Sequence, residues 1–286
     1  MSDTPPFVTR FAPSPTGLMH LGHAYAALFA AHAARETGGR FILRIEDIDR
    51  GRCRPQFEEA IFEDLRWLGL TWDEPVRRQS EHMEDYAAAL TRLDELGVIY
   101  PCFCTRSEIR LEIKHADEAP HGPDGPHYPG TCRALSFEDR KQRILMGKAH
   151  AWRLDMSKAV AITGDFDWTD RGLGLQKADP AAAGDVVVAR KDVPTSYHLA
   201  VTIDDYLQGV TLVTRGDDLV HATNIHRLIQ ALLGVEPPIW HHHPLITDSY
   251  GVRLAKRNRA TTIRSQRQAG KTPAEVRAMV GYEDFQ

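Results

Sequence analysis

The first hundred residues alternate between short apolar runs and longer segments in which every third or fourth position is apolar. The short runs, FVTRF at residues 7–11 and RFILRIED at residues 40–47, predict strands. The longer segments begin near residues 23, 54 and 81, and their spacing close to 3.6 residues predicts helices. Strand, helix and strand in this order predict a right-handed parallel βαβ unit.

The pattern changes after residue 98, where a stretch rich in Pro, Gly, Asp and His (residues 114–132) predicts a long irregular connection. Beyond it, DVVVAR at residues 185–190 and GVTLVTRG at residues 209–216 predict strands again. The run VVVA suits a parallel sheet, whose strands are buried on both faces. We therefore predict an α/β protein with a doubly wound parallel sheet. It consists of a domain of residues 1–98 and 186–248, an inserted module of residues 99–185 and a short C-terminal segment of residues 249–286.

The composition is compatible with the predicted α/β fold. Of the 286 residues, 42% are hydrophobic and 26% are charged. The amino terminus lacks a positively charged region followed by an apolar stretch, and no apolar run approaches the roughly 20 residues of a membrane helix. We therefore expect a cytoplasmic protein with no membrane partner.

Charge is distributed unevenly along the chain. The net charge is −4, which gives no general attraction for nucleic acid. Within residues 251–271, however, seven side chains are Lys or Arg and none is acidic. Such a segment is either an ordinary solvated basic surface or a source of contacts to phosphates.

Three of the four cysteines, Cys102, Cys104 and Cys132, lie within 31 residues of one another. Because a disulfide framework is not expected in the reducing cytoplasm, the cluster predicts a metal site. Zinc prefers four ligands from Cys, His or carboxylate groups. From this chemistry alone, His121 or His127 is the expected fourth ligand.

The stretch RFAPSPTGLMHLGHA at residues 10–24 lies between the first predicted strand and the first predicted helix, where open α/β sheets bind ligands. Gly17 and Gly22 let the backbone approach a ligand closely, and the helix amino terminus offers N–H groups to a phosphate. His20 and His23 lie on one face of that terminus, placed to donate hydrogen bonds to a triphosphate. A capped helix with two surface histidines is the structural alternative.

This stretch resembles the signature region of class I aminoacyl-tRNA synthetases, specifically of their glutamyl branch, with HLGH at residues 20–23. Three further segments are similar to that branch and follow in the expected order. They are RFILRIEDIDRGR at residues 40–52, DVPTSYHLAVTIDDYLQGVTLVTRGDDL at residues 192–219, and RLAKR at residues 253–257, a degenerate form of the KMSKS loop. The resemblance implies a Rossmann-like class I catalytic domain that activates L-glutamate with ATP and Mg²⁺.

The resemblance also implies which residues bind glutamate. Arg10 matches a position that holds the substrate, and a guanidinium is suited to bidentate pairing with its side-chain carboxylate. Glu46 matches the acid that receives the α-ammonium group. A doubly anionic amino acid needs two cationic contacts and one acidic contact, which agrees with this assignment. The complete set implied for glutamate is Arg10, Phe11, Ala12, Pro13, Ser14, Glu46, Tyr197 and Arg215.

For ATP, the resemblance implies the signature histidines and the KMSKS-like loop. Lys256 matches the second lysine of that loop, which stabilises charge on the leaving pyrophosphate. The loop departs from the motif, because an arginine replaces the first lysine, and an alanine and an arginine replace the serines. The residues implied for ATP binding are His20, Gly22, His23 and Lys256, and those implied for catalysis are His20, His23 and Lys256.

A short subfamily of glutamyl-synthetase-like proteins carries the same cysteine arrangement with a tyrosine ligand. The resemblance therefore implies one structural zinc ion, and it favours Tyr128 over His127 as the fourth ligand. The run HHH at residues 241–243 matches no ligand pattern of the family, and we interpret it as a connection between a helix and a strand. The implied zinc ligands are Cys102, Cys104, Tyr128 and Cys132.

Only 29 residues follow Arg257, too few to bury a core of their own, so we expect no anticodon-binding domain. Within the resemblance this favours the truncated glutamyl-queuosine tRNA(Asp) synthetases. Members of that branch activate glutamate without tRNA and transfer it to the queuosine base at the wobble position of tRNA(Asp), and we expect a monomer. A catalytic fragment of a glutamyl-tRNA synthetase, a small nucleotidyltransferase and a non-catalytic tRNA-binding paralogue are the alternative interpretations.

Overall fold

The computed structural model describes residues 5–109, 121–122, 125–246 and 261–285. Its strands are β1 (Val8–Phe11), β2 (Arg40–Ile45), β3 (Asp73–Arg78), β4 (Ile99–Cys102), β5 (His121–Gly122), β6 (Gly125–Pro126), β7 (Ala151–Leu154), β8 (Asp167–Asp170), β9 (Gly174–Lys177), β10 (Val187–Ala189), β11 (Leu212–Gly216) and β12 (Ile239–His243). We number the helices α1 (Leu21–Arg35), α2 (Pro55–Trp67), α3 (Met83–Glu95), α4 (Phe137–Leu145), α5 (Met156–Thr163), α6 (Tyr197–Leu207), α7 (Val220–Leu233), α8 (Ile263–Gln268) and α9 (Pro273–Ala278).

Two groups of parallel strands form the central sheet. One has the order β1-β2-β3, and in the other β11, β12 and β8 run parallel, with β9 antiparallel at the outer edge. The groups meet where the backbone N–H of Thr211 donates to the carbonyl of Val8 over 3.0 Å. From β1 the chain continues outwards to β2, and from β11 it continues outwards to β12 in the opposite direction, so the switch point of the sheet lies between β1 and β11. The predicted α/β fold with a parallel sheet is confirmed.

Small residues set how closely α1 packs on this sheet. Ala24 and Ala30 are fully buried, and Thr9 Oγ1 of β1 donates to the carbonyl of Ala30 over 2.7 Å. The return from α1 to β2 is equally close, since a Cβ at Gly39 would lie 1.9 Å from the carbonyl oxygen of Phe7. Only glycine fits at that position. The βαβ unit predicted from the first 47 residues is therefore present, and its tight closure depends on Gly39, the residue just before β2.

A second, antiparallel sheet of order β10-β7-β4 combines two strands from residues 99–185 with β10, which follows them in the chain. It includes β10, so the prediction that the VVVA run belongs to the parallel sheet is wrong. An apolar run indicates burial but does not identify the partner strand. Conversely, β8 lies among the residues assigned to the module and yet pairs with β12, with Asp170 opposite Trp240. The domain limits after residues 98 and 185 remain predictions.

The HHH run at residues 241–243 lies inside β12, a strand flanked by β11 and β8. The interpretation of this run as a connection between a helix and a strand is therefore wrong. Three consecutive histidines lack the apolar signal of a buried strand, and here hydrogen bonds replace it. Both the backbone N–H and the Nδ1 of His242 bond to Asp170 of β8, over 3.0 and 2.7 Å.

The described C-terminal residues pack on the catalytic body. Val276 and Phe285 are buried against the core that includes α1 and α2. An isolated bridge between His20 and Thr262 brings the start of α8 beside the start of α1. In the part of the chain that the structure describes, no helix is long and apolar enough to cross a membrane.

Candidate active site

Four of the residues predicted to bind glutamate meet in the crevice at the switch point of the sheet. Arg10 lies in β1, Glu46 directly follows β2, Arg215 lies in β11, and Tyr197 begins α6. Their charges act on one another. Burial raises the pKa of Glu46, and Arg44 and Arg10 partly offset this. Burial also raises the pKa of Tyr197, on which the charges of Arg215 and Glu46 act in opposite directions.

The loop after β1 carries the other predicted glutamate contacts. The carbonyl of Pro13 accepts from the backbone N–H of Glu46 over 3.0 Å, which ties this loop to the end of β2. Phe11 and Pro13 are buried and Ala12 is half-buried, whereas Ser14 is exposed. Within the loop, Ser14 therefore offers the accessible side chain, while its neighbours define the shape of the backbone.

Arg10 and Arg44 share one buried carboxylate, Asp205 of α6. Arg10 Nε donates to Asp205 Oδ1 over 3.0 Å, and Arg44 Nη1 donates to the same oxygen over 2.8 Å. Arg10 Nη1 also donates to the carbonyl of Thr214 in β11, over 3.0 Å. Burial alone would raise the pKa of Asp205, but the two guanidinium groups lower it below its ordinary value. The crevice is therefore built around an ionised aspartate.

Arg44 extends the same network to Glu46. Its Nη2 lies 3.3 Å from Glu46 Oε1, and the Arg44 side chain is completely buried while that of Glu46 is 12% exposed. The neighbouring Asp204 accepts from Arg77 Nε over 2.7 Å and from Gln79 Nε2 over 2.8 Å. These contacts hold α6 against β3. The Glu46 carboxylate lies at the partly exposed end of this polar network.

Arg215 is buried on the other side of the crevice, 7% exposed. It donates hydrogen bonds to His226, His242 and Thr223. Burial lowers the pKa of Arg215 from its ordinary value, which is far above neutral pH. This guanidinium therefore remains charged, but its surroundings differ from those of Arg10.

His20 and His23 cap each other at the start of α1. His20 Nδ1 accepts from the backbone N–H of Gly22, and His23 Nδ1 accepts from the backbone N–H of His20, both over 3.1 Å. The ring centroids are 3.9 Å apart. A nitrogen that accepts carries no proton, so each neutral ring holds its proton on Nε2. Both side chains are thus donors through Nε2, the property that a phosphate oxygen requires.

A cavity of about 190 Å³ opens beside these histidines, between the start of α1 and the end of β11. Gly22, His23 and Ile246 are among its lining residues. Ile246, the last described residue before the segment that contains Lys256, lines this cavity, and Thr262, shortly after that segment, bridges to His20. Lys256 and the rest of RLAKR lie outside the described residues, so their roles remain predictions.

The cysteine cluster lies between β4 and the turn that precedes α4. The sulfur atoms of Cys102, Cys104 and Cys132 all lie within 4.8 Å of one another, a spacing that could hold a metal ion. Tyr128 Oη lies 3.4 Å from Cys104 Sγ. Burial raises the pKa of the Cys132 thiol, but hydrogen bonds from Tyr128 and from a backbone N–H bring it below its ordinary value. His127 instead bonds through Nε2 to the carbonyl of Ala182 over 2.8 Å, away from the cluster's donor set.

Comparison with known proteins decides the family. The model for the catalytic domain of class I tRNA synthetases (E and Q) matches residues 6–281. The glutamyl-Q tRNA(Asp) synthetase of Rhodobacter capsulatus is 49% identical over 282 residues, which cover 96% of this chain and 99% of the relative. The chain belongs to the glutamyl-Q tRNA(Asp) synthetase family. A protein of the same name from Symbiobacterium thermophilum is 44% identical over 96% of the chain and 85% of its own length.

Solved structures extend this fold to larger members of class I. The glutamate tRNA ligase of Elizabethkingia meningosepticum, solved with its amino acid, has a TM-score of 0.80 and 27% identity to this family member. The match covers 96% of the chain but 60% of the ligase. The glutamate-tRNA synthetase of Elizabethkingia anophelis is similar, with a TM-score of 0.82, 28% identity and 61% of its length covered. The chain therefore spans about three fifths of these two synthetases.

The sequence analysis missed several residues that build the crevice. Arg44 interrupts the apolar strand RFILRI, and Asp204 and Asp205 interrupt the apolar helix TIDDYL. Charged residues in otherwise apolar elements were the available signal, because buried charges need partners. His226 and His242 gave a weaker signal, since a histidine in a helix or strand is common. These two histidines matter because Arg215 lies between them and donates a hydrogen bond to each.

Proposed function

We propose that this chain activates L-glutamate with ATP to glutamyl-adenylate without tRNA, and then transfers glutamate to the queuosine base at the wobble position of tRNA(Asp). The observation that carries this proposal is the match along 99% of the length of the Rhodobacter capsulatus glutamyl-Q tRNA(Asp) synthetase. The charges of the crevice support it independently. A pocket with two arginines and one accessible glutamate suits an amino acid with two carboxylates and one ammonium group.

Glutamate would lie between Arg215 and Arg10 on one side and Glu46 on the other. Glu46 would accept from the α-ammonium group, for which its partly exposed carboxylate is available. The described contacts of Arg10 use three of its five N–H donors, through Nε, Nη1 and Nη2. A substrate carboxylate would therefore meet the remaining donors of Arg10, and Ser14 and Tyr197 would complete the pocket.

In the first chemical step, an oxygen of the α-carboxylate attacks the α-phosphorus of ATP, and the bond to the bridging oxygen of pyrophosphate breaks. His20 and His23 would donate through Nε2 to the phosphate oxygens on which charge increases, and Lys256 would bind the leaving pyrophosphate. Gly22 permits close approach of the backbone at the same helix terminus. Mg²⁺ bound with ATP supplies further neutralisation of phosphate charge.

In the second step, a hydroxyl of queuosine attacks the carbonyl carbon of the mixed anhydride, the bond between that carbon and the phosphate oxygen breaks, and AMP leaves with the proton of the hydroxyl. Neither step needs a nucleophile from the protein, because the substrates supply both attacking oxygens. The chain then contributes positioning and electrostatic stabilisation. Cytoplasmic localisation and a monomeric state remain predictions.

The test of this function is glutamate-dependent ATP–pyrophosphate exchange in the absence of tRNA, followed by transfer of labelled glutamate to tRNA(Asp) with and without queuosine. Exchange without tRNA and labelling of the modified tRNA alone are the expected results. Exchange that appears only on addition of tRNA(Glu) would favour a catalytic fragment of a glutamyl-tRNA synthetase. Absence of exchange under all conditions would favour a non-catalytic tRNA-binding paralogue.

We also propose that Cys102, Cys104, Tyr128 and Cys132 hold one structural zinc ion. Three sulfur donors and a nearby phenol oxygen could supply the four ligands of a tetrahedral zinc site. Purified protein is expected to contain about one zinc ion per chain, and Cys132→Ala should lose it. Cys53→Ala is the matched control, because Cys53 is not part of the cluster. Protein that contains no metal when purified without chelators would contradict this proposal.

A further inference from the structure

Two of the arginines at the crevice have carboxylate partners, and the third has none. Arg10 and Arg44 both pair with Asp205, whereas none of the ion pairs formed by the described residues includes Arg215. Arg215 is nevertheless as deeply buried as Arg10, each being 7% exposed. Burying a guanidinium without a counter-charge is unfavourable unless hydrogen bonds hold it or a ligand supplies the charge. The hydrogen-bond partners of Arg215 must therefore account for the burial of its charge.

The partners of Arg215, which include the neutral phenol of Tyr197, accept hydrogen bonds without carrying negative charge. Its Nε donates to His242 Nε2, and its Nη1 donates to His226 Nδ1, both over 3.1 Å. Its Nη2 donates to Thr223 Oγ1. A ring nitrogen that accepts from a guanidinium cannot itself hold a proton, so this arrangement requires both imidazoles to be neutral.

Burial and the neighbouring cation keep both histidines neutral. Burial lowers the pKa of His242 to about 4, and the charge of Arg215 contributes to this shift. Burial and Arg215 also lower the pKa of His226 well below its ordinary value. At neutral pH, Arg215 therefore keeps its full positive charge while its donors are held in place.

Asp170 fixes the orientation of one of these rings. His242 Nδ1 donates to Asp170 Oδ2 over 2.7 Å, which leaves His242 Nε2 as the acceptor that faces Arg215. Asp170 is itself held by the backbone N–H groups of Gly172 and Leu173, over 2.7 and 2.9 Å. The Asp170 carboxylate thus sets the tautomer of His242, and the His242 ring lies between this carboxylate and the Arg215 guanidinium.

We propose that His226 and His242 are positioning residues that hold Arg215 without cancelling its charge, so that Arg215 selects a side-chain carboxylate over a carboxamide. This inference rests on the proposed function, because it concerns the amino acid bound in the same crevice. Glutamate brings the counter-charge that Arg215 lacks. Glutamine has the same shape but supplies no charge, and it leaves the buried cation uncompensated.

The test uses a matched pair of variants at His226. His226→Gln keeps a neutral acceptor for Arg215, and His226→Glu has nearly the same size but adds the missing negative charge. For each folded variant, ATP–pyrophosphate exchange is measured with glutamate and with glutamine, and kcat and KM are determined separately. The readout is the ratio of kcat/KM for glutamate to that for glutamine, which a purely structural role would not change.

We expect His226→Gln to keep this ratio within about tenfold of the unmodified protein, and His226→Glu to lower it by about 100-fold, mainly through a higher KM for glutamate. Equal losses in both variants, or full discrimination in His226→Glu, would overturn the inference. If neither variant folds, Thr223→Asn and Thr223→Asp form the equivalent pair at the third contact of Arg215.

Failure of the proposed function can be distinguished from failure of this inference. Unmodified protein without exchange activity would contradict the proposed function. In that case, the stabilisation of the folded protein by glutamate and by glutamine is compared by thermal unfolding in the same variants. Glutamate binding that is preferred over glutamine and lost only in His226→Glu would still support the inference, and equal binding of the two amino acids to the unmodified protein would overturn it.

Discussion

Asp205 and Asp64 are both buried aspartates on helices of the catalytic body, but their surroundings differ. Asp205 on α6 accepts hydrogen bonds from Arg10 and Arg44. Asp64 on α2 is fully buried, and neither of its oxygens accepts a hydrogen bond from the described residues. An ion-pair contact reaches it from Arg267 of α8, with Nη2 3.7 Å from Asp64 Oδ1.

The pKa values of the two groups move in opposite directions as a result. Burial raises both, but in Asp205 the charges and hydrogen bonds of two arginines outweigh it. In Asp64, burial outweighs the charges of Arg267 and Arg264 and raises the pKa to about 6. Burial therefore does not determine the charge of a carboxyl group; its partners do. The crevice keeps a permanent charge, whereas the contact between α2 and the C-terminal segment contains a group that ionises near neutral pH.

The largest effect is expected from Asp205→Asn. This change removes the charge that two buried guanidinium groups share, and we expect the free energy of unfolding at pH 7.5 to fall by about 3–5 kcal/mol. Urea denaturation measures it. Asp192→Asn is the control, because Asp192 pairs with Arg190 at the surface and should contribute at most about 1 kcal/mol. Similar losses in the two variants would show that the buried pairing has no special importance.

Asp64→Asn should have a smaller effect of the opposite sign. Between about pH 4 and pH 6, the folded protein holds a proton on Asp64 that the unfolded chain has lost, so stability falls as the pH rises through this window. The variant should lack this fall and be more stable than the unmodified protein at pH 7.5, by about 1–2 kcal/mol. Unfolding curves at pH 4, 6 and 7.5 measure the difference.

Glu63→Gln is the control for this experiment, because Glu63 is its exposed neighbour on α2 and pairs with the same Arg267. Because the charge of Glu63 helps to raise the pKa of Asp64, this variant should move the window slightly to lower pH without removing the fall in stability. A variant Asp64→Asn that is less stable than the unmodified protein at pH 7.5 would show that Asp64 is ionised and paired there, in contradiction to the comparison with Asp205.

The smallest effect is expected from Arg267→Gln. Loss of this cation should raise the pKa of Asp64 further, because the charge of Arg267 lowers it in the unmodified protein. The titration of the Asp64 carboxyl carbon, followed by NMR, measures the shift, and the accompanying change in stability should stay below about 1 kcal/mol. Arg92→Gln, which removes an exposed pair with Glu95, should leave that titration unchanged.

The sequence was sufficient to predict the elements that have strong periodicity. Apolar spacing identified α1, α2 and α3, and short apolar runs identified β1 and β2 on either side of α1. The βαβ order then predicted that β1 and β2 are parallel. The same reasoning was wrong for β10 and for β12, for two different reasons. β10 has the apolar composition of a parallel strand but pairs antiparallel with β7, and β12 has a polar composition but lies inside the sheet.

The network of the crevice could not be predicted in the same way. The helices of Asp64 and Asp205 both show an acid among apolar positions, and no local feature distinguishes the two acids. The difference arises from arginines that are 161 and 195 residues away from Asp205 in the chain. Such pairings depend on which strands become neighbours, and the resemblance to a family identified Arg10 and Arg215 without showing how differently they are held.

The reciprocal cap formed by His20 and His23 restricts how this protein can change during evolution. The atoms that begin α1 belong to the same side chains that are expected to bind the triphosphate, so one substitution alters both properties. An alanine at either position would remove a cap worth about 1 kcal/mol together with a donor. A lineage that lost the activity would therefore still retain these histidines for longer than residues with a purely catalytic role, and their presence alone is a weak sign of an active enzyme.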